Sequence, residues 1–369
     1  MKLVSVSVIN DLSTDQRVAR TCSVLQNQGF EVLLIGRKLK NSLSIERDYK
    51  IKRLKFAVNK GFVFYFCYNF RLFWYLLFKK VDIFFANDLD TLLANGILAR
   101  IKRKPLIYDS HEFFVGVPEL QDYPFKKAVW RWVEKINFGR INDFITVNDS
   151  IAELYKKQYK GEINVVRNVP QILSNNNSFE IDKTIFQDKF VVVMQGAGIN
   201  VNRGYEEAVL SMQYLENILL LIIGSGDVID ALKEMSKTHN LESKVKFLDK
   251  MPYPQMMAYT RNANVGMSLD KATSINYELS LPNKLFDYIQ AQIPIISTDI
   301  KEVAKIINQY NIGIIVPNHE PKQIAQTIDE LRNNEERYNL YKSNTQKAAQ
   351  ELNWDNEKKV LEKILKKYA

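Results

Sequence analysis

The stretch SLPNKLFDYIQAQIPIIST, residues 280–298, predicts a loop, a short helix and a buried strand in direct succession. We place the helix at about Asn283–Ala291 and the strand at Pro294–Ser297. Pro282 restricts the chain just before the helix, and Asn283 is a suitable N-cap, since its side chain can accept a hydrogen bond from an unpaired backbone N–H. The rest of the chain repeats this alternation of helices and strands.

The start of this helix is also a candidate binding site. Its free amides and the positive end of its dipole lie beside Lys284, which suits a ligand that carries phosphate. Asp287 follows one turn later, and its carboxylate can accept hydrogen bonds from sugar hydroxyls. Taken alone, the stretch fits either a nucleotide-sugar site or a well-capped helix without a ligand.

The composition is that of a globular protein long enough for two domains. The chain has 369 residues, of which 46% are hydrophobic and 25% are charged. Its only cysteines are Cys22 and Cys67, which argues against a disulfide scaffold or a cysteine metal site and fits a reducing compartment. The first residues, MKLVSVSVINDL, predict a strand rather than a signal peptide.

The charge is unevenly distributed along the chain. Residues 1–170 carry 28 Lys and Arg against 17 Asp and Glu, whereas residues 171–369 carry 23 against 25. We therefore expect only the first half to face an anionic partner, such as an anionic membrane surface or substrate. No helix shows basic and aromatic residues interleaved as in a nucleic-acid-binding module, so we expect no nucleic acid among the partners.

Short apolar strands alternate with amphipathic helices in both halves of the chain. This pattern predicts an α/β protein of two Rossmann-like, doubly wound domains that face each other across a cleft. The polar stretch SNNNSFEIDKT interrupts the pattern. We therefore predict a first domain at 1–170, a linker at 171–188, a second domain at 189–349, and a C-terminal helix at 350–369 that returns to the first domain.

Residues 61–80, GFVFYFCYNFRLFWYLLFKK, form the most apolar window. It has about 17 residues before the lysines, whereas a spanning helix needs roughly 20, so we predict no transmembrane helix here. One interpretation is a core helix whose aromatic side chains pack under the first sheet. The other is an aromatic face that dips into a membrane and is flanked by Lys60, Arg71, Lys79 and Lys80.

Two loops that follow strands of the first half carry candidate ligand-binding residues. NDLSTDQR, residues 10–17, offers polar side chains that fit either helix caps or ligand contacts, and Arg17 is suited to grip phosphate or an acceptor. His111 follows the predicted strand Pro105–Tyr108 and lies between acids, in the sequence Asp-Ser-His-Glu. A histidine there fits either proton transfer and sugar contact or a structural hydrogen bond in a turn.

The second half has glycine-rich loops after two of its predicted strands. In QGAGINVNRG, residues 195–204, Gly196 and Gly198 let the backbone approach a ligand closely, and Arg203 precedes a helix start that suits anions. Gly-Ser-Gly at 224–226 would likewise let the backbone approach a ligand, and it fits a tight strand-to-helix turn equally well. The sequence contains no motif of a zinc site, a catalytic triad, a P-loop or a hydrolytic pair of carboxylates.

In combination, these motifs resemble the retaining GT-B glycosyltransferases of the large fourth family. The resemblance extends over essentially the whole chain. Its most specific part is LPNKLFDYIQAQIPII at 281–296, because the family commonly reads Leu-Pro-Asn-Lys-Leu-Phe-Glu-Tyr there. The other matching segments are NDLSTDQRV at 10–18, YDSHE at 108–112 and the glycine loop that ends at Arg203 and Gly204.

The resemblance implies transfer of a sugar from a nucleotide diphosphate donor with retained anomeric configuration and without a metal or cofactor. Asp287 would bind the donor ribose, Arg203 and Lys284 would neutralise the diphosphate, and His111 would reach the transferred sugar. The catalytic candidates are therefore His111, Arg203 and Lys284. The donor-binding candidates are Gly196, Gly198, Arg203, Gly204, Gly224, Glu278, Lys284, Leu285 and Asp287, and the acceptor-binding candidates are Asn10, Arg17 and Glu112.

The chain also departs from the family pattern. The family has two glutamates in the donor loop, but here the second is Asp287 and the position of the first is Leu279, with Glu278 beside it. Ala197 stands where an arginine is frequent. Asp88-Leu89-Asp90 is spelled like a metal-binding Asp-x-Asp motif, but it lies in the predicted acceptor domain, where we expect it to start a helix.

The leading hypothesis is a hexosyltransferase of surface polysaccharide or glycolipid assembly that acts on a glycan or lipid-linked glycan. We expect it in the cytoplasm, associated with the inner face of the cytoplasmic membrane. One alternative is a GT-B-fold nucleotide-sugar epimerase, although the chain has only three histidines to move protons. Another is a non-catalytic nucleotide-sugar-binding subunit, which Leu279 and Ala197 favour.

Overall fold

The computed structural model describes residues 1–13, 15–40, 42–172 and 179–369. These residues divide into two compact units. The first contains Met1–Asn168 and Glu357–Ala369, and the second contains Val169–Asn356. Residues 173–178 of the predicted linker lie outside the described part of the chain.

The first unit is built on a parallel sheet with the strand order β3-β2-β1-β4-β5-β6-β7. The order reverses between β1 and β4, which confirms the predicted doubly wound topology. Because the strands are parallel, their carboxyl ends meet at the same edge of the sheet. The strands are β1 (Leu3–Asp11), β2 (Glu31–Arg37), β3 (Lys50–Leu54), β4 (Ile83–Asn87), β5 (Leu106–Ser110), β6 (Asp143–Thr146) and β7 (Ile163–Val165).

Helices connect these strands, and three of them pack together, since α3 contacts both α2 and α5. The N-cap of α1 is Asp15, whose Oδ1 accepts a hydrogen bond from the Val18 amide at 3.0 Å. The helices of the first unit are α1 (Gln16–Asn27), α2 (Gly61–Leu77), α3 (Leu89–Lys102), α4 (Pro118–Gln121), α5 (Pro124–Phe138) and α6 (Asp149–Lys156).

The second unit repeats the plan with a smaller parallel sheet in the order β10-β9-β8-β11-β12-β13. Its strands are β8 (Phe190–Gly196), β9 (Ile218–Gly224), β10 (Val245–Asp249), β11 (Val265–Ser268), β12 (Ile295–Thr298) and β13 (Gly313–Val316). Its helices are α7 (Tyr205–Ser211), α8 (Ile229–Thr238), α9 (Tyr253–Asn262), α10 (Ile275–Glu278), α11 (Asn283–Ala291), α12 (Lys301–Tyr310), α13 (Pro321–Asn333) and α14 (Glu335–Glu351), and α15 (Trp354–Lys366) follows them.

The stretch 280–298 forms α11 and β12 as predicted, and α11 is buried almost all round. Gly266 in β11 makes room for this helix, because a Cβ atom there would lie 2.2 Å from the ring of Tyr288. The Tyr288 hydroxyl donates to the Met267 carbonyl at 3.1 Å and accepts from the Gln195 amide at 3.3 Å. Close packing and hydrogen bonds together fix α11 on its sheet.

Several elements are not predicted from the sequence, namely α4, α6, β7, α10 and α12. β7 and α10 have only three and four residues, too few for a hydrophobic period to show. α12 is longer, but it lacks the usual polar N-cap signal, since its N-cap is Ile300 without a side-chain hydrogen bond.

The end of the chain is held by residues of the first unit. A carboxylate oxygen of Glu357 accepts a hydrogen bond from the Arg167 amide at 2.8 Å. Asp143, at the start of β6, is buried and pairs with both Lys367 and the Tyr368 hydroxyl. Among the described residues, no helix is both long and apolar enough to span a membrane.

Candidate functional site

In the first unit, His111 lies directly after β5 and is held by two carboxylates. Its Nδ1 is 3.0 Å from Oδ2 of Asp88, and its Nε2 is 3.4 Å from Oδ2 of Asp109. The His111 amide also donates to Oδ1 of Asp88 at 2.8 Å. The sheet brings these residues together, because Asn87 of β4 is in register with Asp109 of β5.

Arg17 binds one of the two carboxylates that hold His111. Its Nε and one terminal nitrogen bind the Asp109 carboxylate in a bidentate pair at 3.0 and 2.7 Å, and its other terminal nitrogen donates to the Val166 carbonyl at 2.8 Å. The side chain is buried. Arg17 thus holds Asp109 in place, whereas the sequence suggested direct contact with an acceptor.

The electrostatics of the cluster favour a protonated imidazole. Burial by itself would lower the pKa of His111, but the carboxylates of Asp88 and Asp109 outweigh it and raise the pKa well above its ordinary value of 6.5. Burial would raise the pKa of Asp109, but the Arg17 guanidinium outweighs it and holds that pKa well below its usual range. A charged His111 is a hydrogen-bond donor through both ring nitrogens.

Asp88 has an unusual backbone, with φ at +58° and ψ at 164°. Non-glycine residues with this combination store strain and are found preferentially at functional sites. Its amide donates to the Asp109 carbonyl at 2.9 Å, and its carboxylate binds His111. Asp90, in the first turn of α3, is buried, and burial followed by the charge of Asp88 raises its pKa well above 3.8.

The remaining acceptor-site candidates lie at the surface of the first unit. Asn10 is exposed and its side-chain amide donates to Oδ2 of Asp15 at 2.9 Å, so it supports the N-cap of α1. Glu112 is also exposed, and its carbonyl oxygen accepts hydrogen bonds from the hydroxyls of Ser110 and Tyr155 at 2.7 and 3.2 Å. Thr14, one of the predicted cap residues, lies outside the described residues.

In the second unit, two cations share one buried carboxylate. Asp270, just beyond β11, lies 2.9 Å from a terminal nitrogen of Arg203 and 3.0 Å from Nζ of Lys284, and its side chain is only 2% exposed. The Ser268 hydroxyl donates to the same carboxylate at 3.0 Å. Burial would raise the pKa of Asp270, but the charges of Lys284 and Arg203 outweigh it and lower the pKa. The cluster therefore carries a net positive charge.

The cluster lies at the start of α11, where the helix dipole adds further positive potential. The N-cap of α11 is Pro282 and makes no side-chain hydrogen bond. The prediction that Asn283 is the N-cap is therefore wrong; this residue is the first of the helix instead. Leu285 is fully buried, so its side chain belongs to the core and only its backbone could reach a ligand.

Asp287 is held by a small hydrogen-bond network. Its Oδ2 accepts from the side-chain amide of Gln195 at 2.9 Å, and its Oδ1 accepts from the Tyr253 hydroxyl at 2.8 Å. The Thr260 hydroxyl donates in turn to the side-chain carbonyl of Gln195 at 2.5 Å. These hydrogen bonds orient both oxygens of the Asp287 carboxylate.

Known families match both units. Residues 176–348 match the family model of glycosyl transferases group 1, and residues 15–169 match that of glycosyltransferase family 4. The chain belongs to the GT-B glycosyltransferases of this group. The chitobiosyldiphosphodolichol beta-mannosyltransferase of Candida albicans is 24% identical in an alignment of 255 positions that covers 61% of this chain and 54% of that protein. The chain spans about half the length of the curated relatives that it matches.

Solved structures show the same GT-B fold. The sucrose-phosphate synthase of Thermosynechococcus elongatus superposes with a TM-score of 0.79 at 14% identity and covers 100% of this chain and 99% of that one. HepE of Anabaena in complex with UDP superposes with a TM-score of 0.73 at 14% identity and full coverage of both chains. At this level of identity the likeness concerns the fold alone.

The glycines of this glycosyltransferase have different structural requirements. Gly204 has φ at +74°, and a Cβ atom there would lie 2.2 Å from the Leu269 carbonyl oxygen; Gly224 has φ at +138°, and a Cβ atom there would lie 1.9 Å from the Gly196 carbonyl oxygen. The backbone therefore requires glycine at 204 and 224 with or without a ligand. At Gly196 and Gly198 a Cβ would meet nothing closer than 3.5 Å, so these two positions have free space beside them.

The structure accounts for the leucine that stands at the position of the family's first acid. Leu279 is 5% exposed and belongs to the core, whereas Glu278 is exposed at the end of α10. The core therefore accounts for the leucine at this position. Glu278 remains a candidate for contact with a donor sugar.

Four residues that position the candidate residues are not among the site residues predicted from the sequence, namely Asp88, Asp270, Gln195 and Tyr253. Each follows or ends a parallel strand or starts the next helix, which is the one signal that could have pointed to them. Within the described ranges, no three His, Cys, Asp or Glu side chains are grouped so that they could hold a metal ion.

Proposed function

We propose that this chain is a retaining, metal-independent hexosyltransferase that moves a sugar from a nucleotide diphosphate donor to a glycan or lipid-linked glycan. The second unit binds the donor and the first binds the acceptor. The observation that carries the proposal is the pair of cations at the start of α11, since Asp270 holds both Arg203 and Lys284 within 3.0 Å of its carboxylate.

This arrangement suits a leaving group that gains negative charge. When the bond from the anomeric carbon to the diphosphate breaks, a bond to the acceptor oxygen forms, and the acceptor proton leaves with the diphosphate. The Asp270 cluster is a preorganised positive site, which stabilises developing charge without reorganisation at the moment of reaction. Asp287, oriented by Tyr253 and Gln195, is placed to accept a hydrogen bond from the donor ribose.

We place the enzyme in the cytoplasm, at the inner face of the cytoplasmic membrane, in surface polysaccharide or glycolipid assembly. The excess of basic residues in 1–170 supports contact with an anionic membrane. Protonated His111 serves the first unit as a donor to a sugar hydroxyl. The Candida albicans relative is a mannosyltransferase, which supports a hexose as the transferred sugar.

The test is a thermal-shift and calorimetric screen with UDP, GDP and their sugar conjugates. We expect one nucleotide diphosphate to stabilise the protein and Lys284→Met to weaken its binding by roughly tenfold or more, the loss of one charge-assisted contact. Lys233→Met, an exposed lysine on α8, is the matched control and should bind normally. If no nucleotide diphosphate shifts the melting temperature, the donor site is misassigned.

Leu279 is a core residue at the position of the family's first acid, which favours a second candidate function. In that case the chain is a subunit that binds nucleotide sugar without transferring it. Slow hydrolysis of the donor in the absence of acceptor distinguishes the two, because a transferase activates the sugar towards water as well. The anomeric configuration of the product, read by NMR, tests retention.

A further inference from the structure

Helix α2 has two faces of similar apolarity, but only one is covered. The buried face is formed by Phe64, Tyr68, Leu72 and Leu76. The opposite face carries an aromatic ridge, which we define as Phe62, Phe66, Phe70, Trp74 and Phe78; each is between 47% and 78% exposed. Consecutive rings from Phe66 to Phe78 contact one another with centroids 6.1–6.3 Å apart.

Neighbouring helices also expose apolar side chains. α3 packs against α2 and α5, and it exposes Ile97 and Ile101. α5 exposes Phe125 and Trp132, of which Phe125 is 79% exposed. A contiguous row of exposed rings such as the aromatic ridge is uncommon on a protein without a partner and marks a site of interaction.

The charge around the ridge is predominantly positive, with exposed Asp122 just before α5 as an exception. Residues 60–80 contain no Asp or Glu, and exposed Lys79 and Lys80 stand at the end of α2. Residues 123–140 contain a single acid, Glu134, which is 1% exposed and so contributes no carboxylate to the outer surface. The basic residues of that segment are Lys126, Lys127, Arg131, Lys135 and Arg140.

We propose that the aromatic ridge and the exposed side chains of α3 and α5 dock on an anionic phospholipid bilayer, with α2 lying in the plane of the interface. Aromatic side chains partition into the headgroup region, and each lysine or arginine beside an anionic surface adds attraction. Charge complementarity selects an anionic lipid surface over a neutral one. The biological role of this docking rests on the proposed function, because docking would bring the first unit to a lipid-linked acceptor.

The test is co-sedimentation of the full chain with vesicles of phosphatidylcholine alone or mixed with phosphatidylglycerol. We expect binding to the anionic vesicles, weakened by salt, and little binding to the neutral ones. Phe66→Ser combined with Phe70→Ser should weaken binding by roughly tenfold or more, since each removes apolar area from the interface. Lys79→Glu combined with Lys80→Glu should weaken it by a similar factor.

A control separates docking from general surface stickiness. Tyr214→Ser with Leu340→Ser changes exposed apolar residues of the second unit and should bind vesicles like the unaltered chain. Equal binding by the control and the Phe66/Phe70 variant would overturn the proposal. So would a dimer in light scattering that this variant turns into a monomer, because the ridge would then cover a second copy.

Nucleotide binding measured on the same proteins keeps the two proposals apart. Vesicle binding without any nucleotide-dependent thermal shift would refute the donor site and leave the docking surface standing. A normal nucleotide-dependent thermal shift without vesicle binding would refute the docking surface and leave the donor site standing.

Discussion

Glu134 in α5 is a buried acid whose ionisation should control stability. It is 1% exposed, and within the described residues neither carboxylate oxygen has a hydrogen-bond partner. Burial raises its pKa from 4.5 to about 8. Between these two values the folded protein retains a proton that the unfolded chain releases, so the free energy of unfolding falls as the pH rises through this window.

The magnitude follows from the two pKa values. At about 1.4 kcal/mol for each unit of pKa difference, the stability lost between pH 4.5 and pH 8 has an upper limit of about 5 kcal/mol. Glu134→Gln keeps the shape and the polarity of the protonated acid but cannot ionise. We therefore expect the variant to match the original near pH 4.5 and to become progressively more stable than it up to about pH 8.

Urea denaturation at several pH values between 4.5 and 8.5 measures this difference. Glu153→Gln, an exposed glutamate on the neighbouring α6, is the control and should show no such dependence. A difference between Glu134→Gln and the original that does not change with pH would refute the reasoning, since it would mean that Glu134 is ionised in the folded protein or hydrated.

The other predictions concern the candidate sites. Asp270→Asn should destabilise the protein by about 3 kcal/mol in urea denaturation and weaken nucleotide binding, because it leaves two cations without their carboxylate. Asp88→Asn should lower the pKa of His111, measured by NMR titration, since one of the two carboxylates that raise it is lost. Gly204→Ala should lower the melting temperature, because alanine disfavours φ at +74° and its Cβ would collide with the Leu269 carbonyl.

The fold could be predicted from the sequence because its signals are local. Short apolar strands alternate with periodic helices, and α11 agrees with the helix predicted at about Asn283–Ala291, although its N-cap is Pro282 and not Asn283. What could not be predicted depends on tertiary packing. Burial of Leu285 and Leu279 follows from how α11 and α10 lie on the sheet, which no local pattern specifies.

The candidate site was predicted in part for the same reason. His111, Arg203 and Lys284 stand out as rare or basic residues at strand and helix ends. Their partners Asp88 and Asp270 are ordinary acids whose importance appears only when neighbouring strands bring them within 3 Å of the cations. Arg17 shows the converse, since its guanidinium, in the first turn of α1, has its partner in β5, at Asp109.

The two units use a buried carboxylate in the same way but arrive at different net charges. In the first unit, Asp88 and Asp109 face Arg17 and a protonated His111, so the charges of these four groups cancel. In the second unit, Asp270 alone faces two cations, and a positive charge remains. A neutral cluster that donates hydrogen bonds suits sugar hydroxyls, whereas an uncompensated cation suits a diphosphate. The charge balance therefore supports the assignment of the acceptor to the first unit and the donor to the second, independently of any sequence motif.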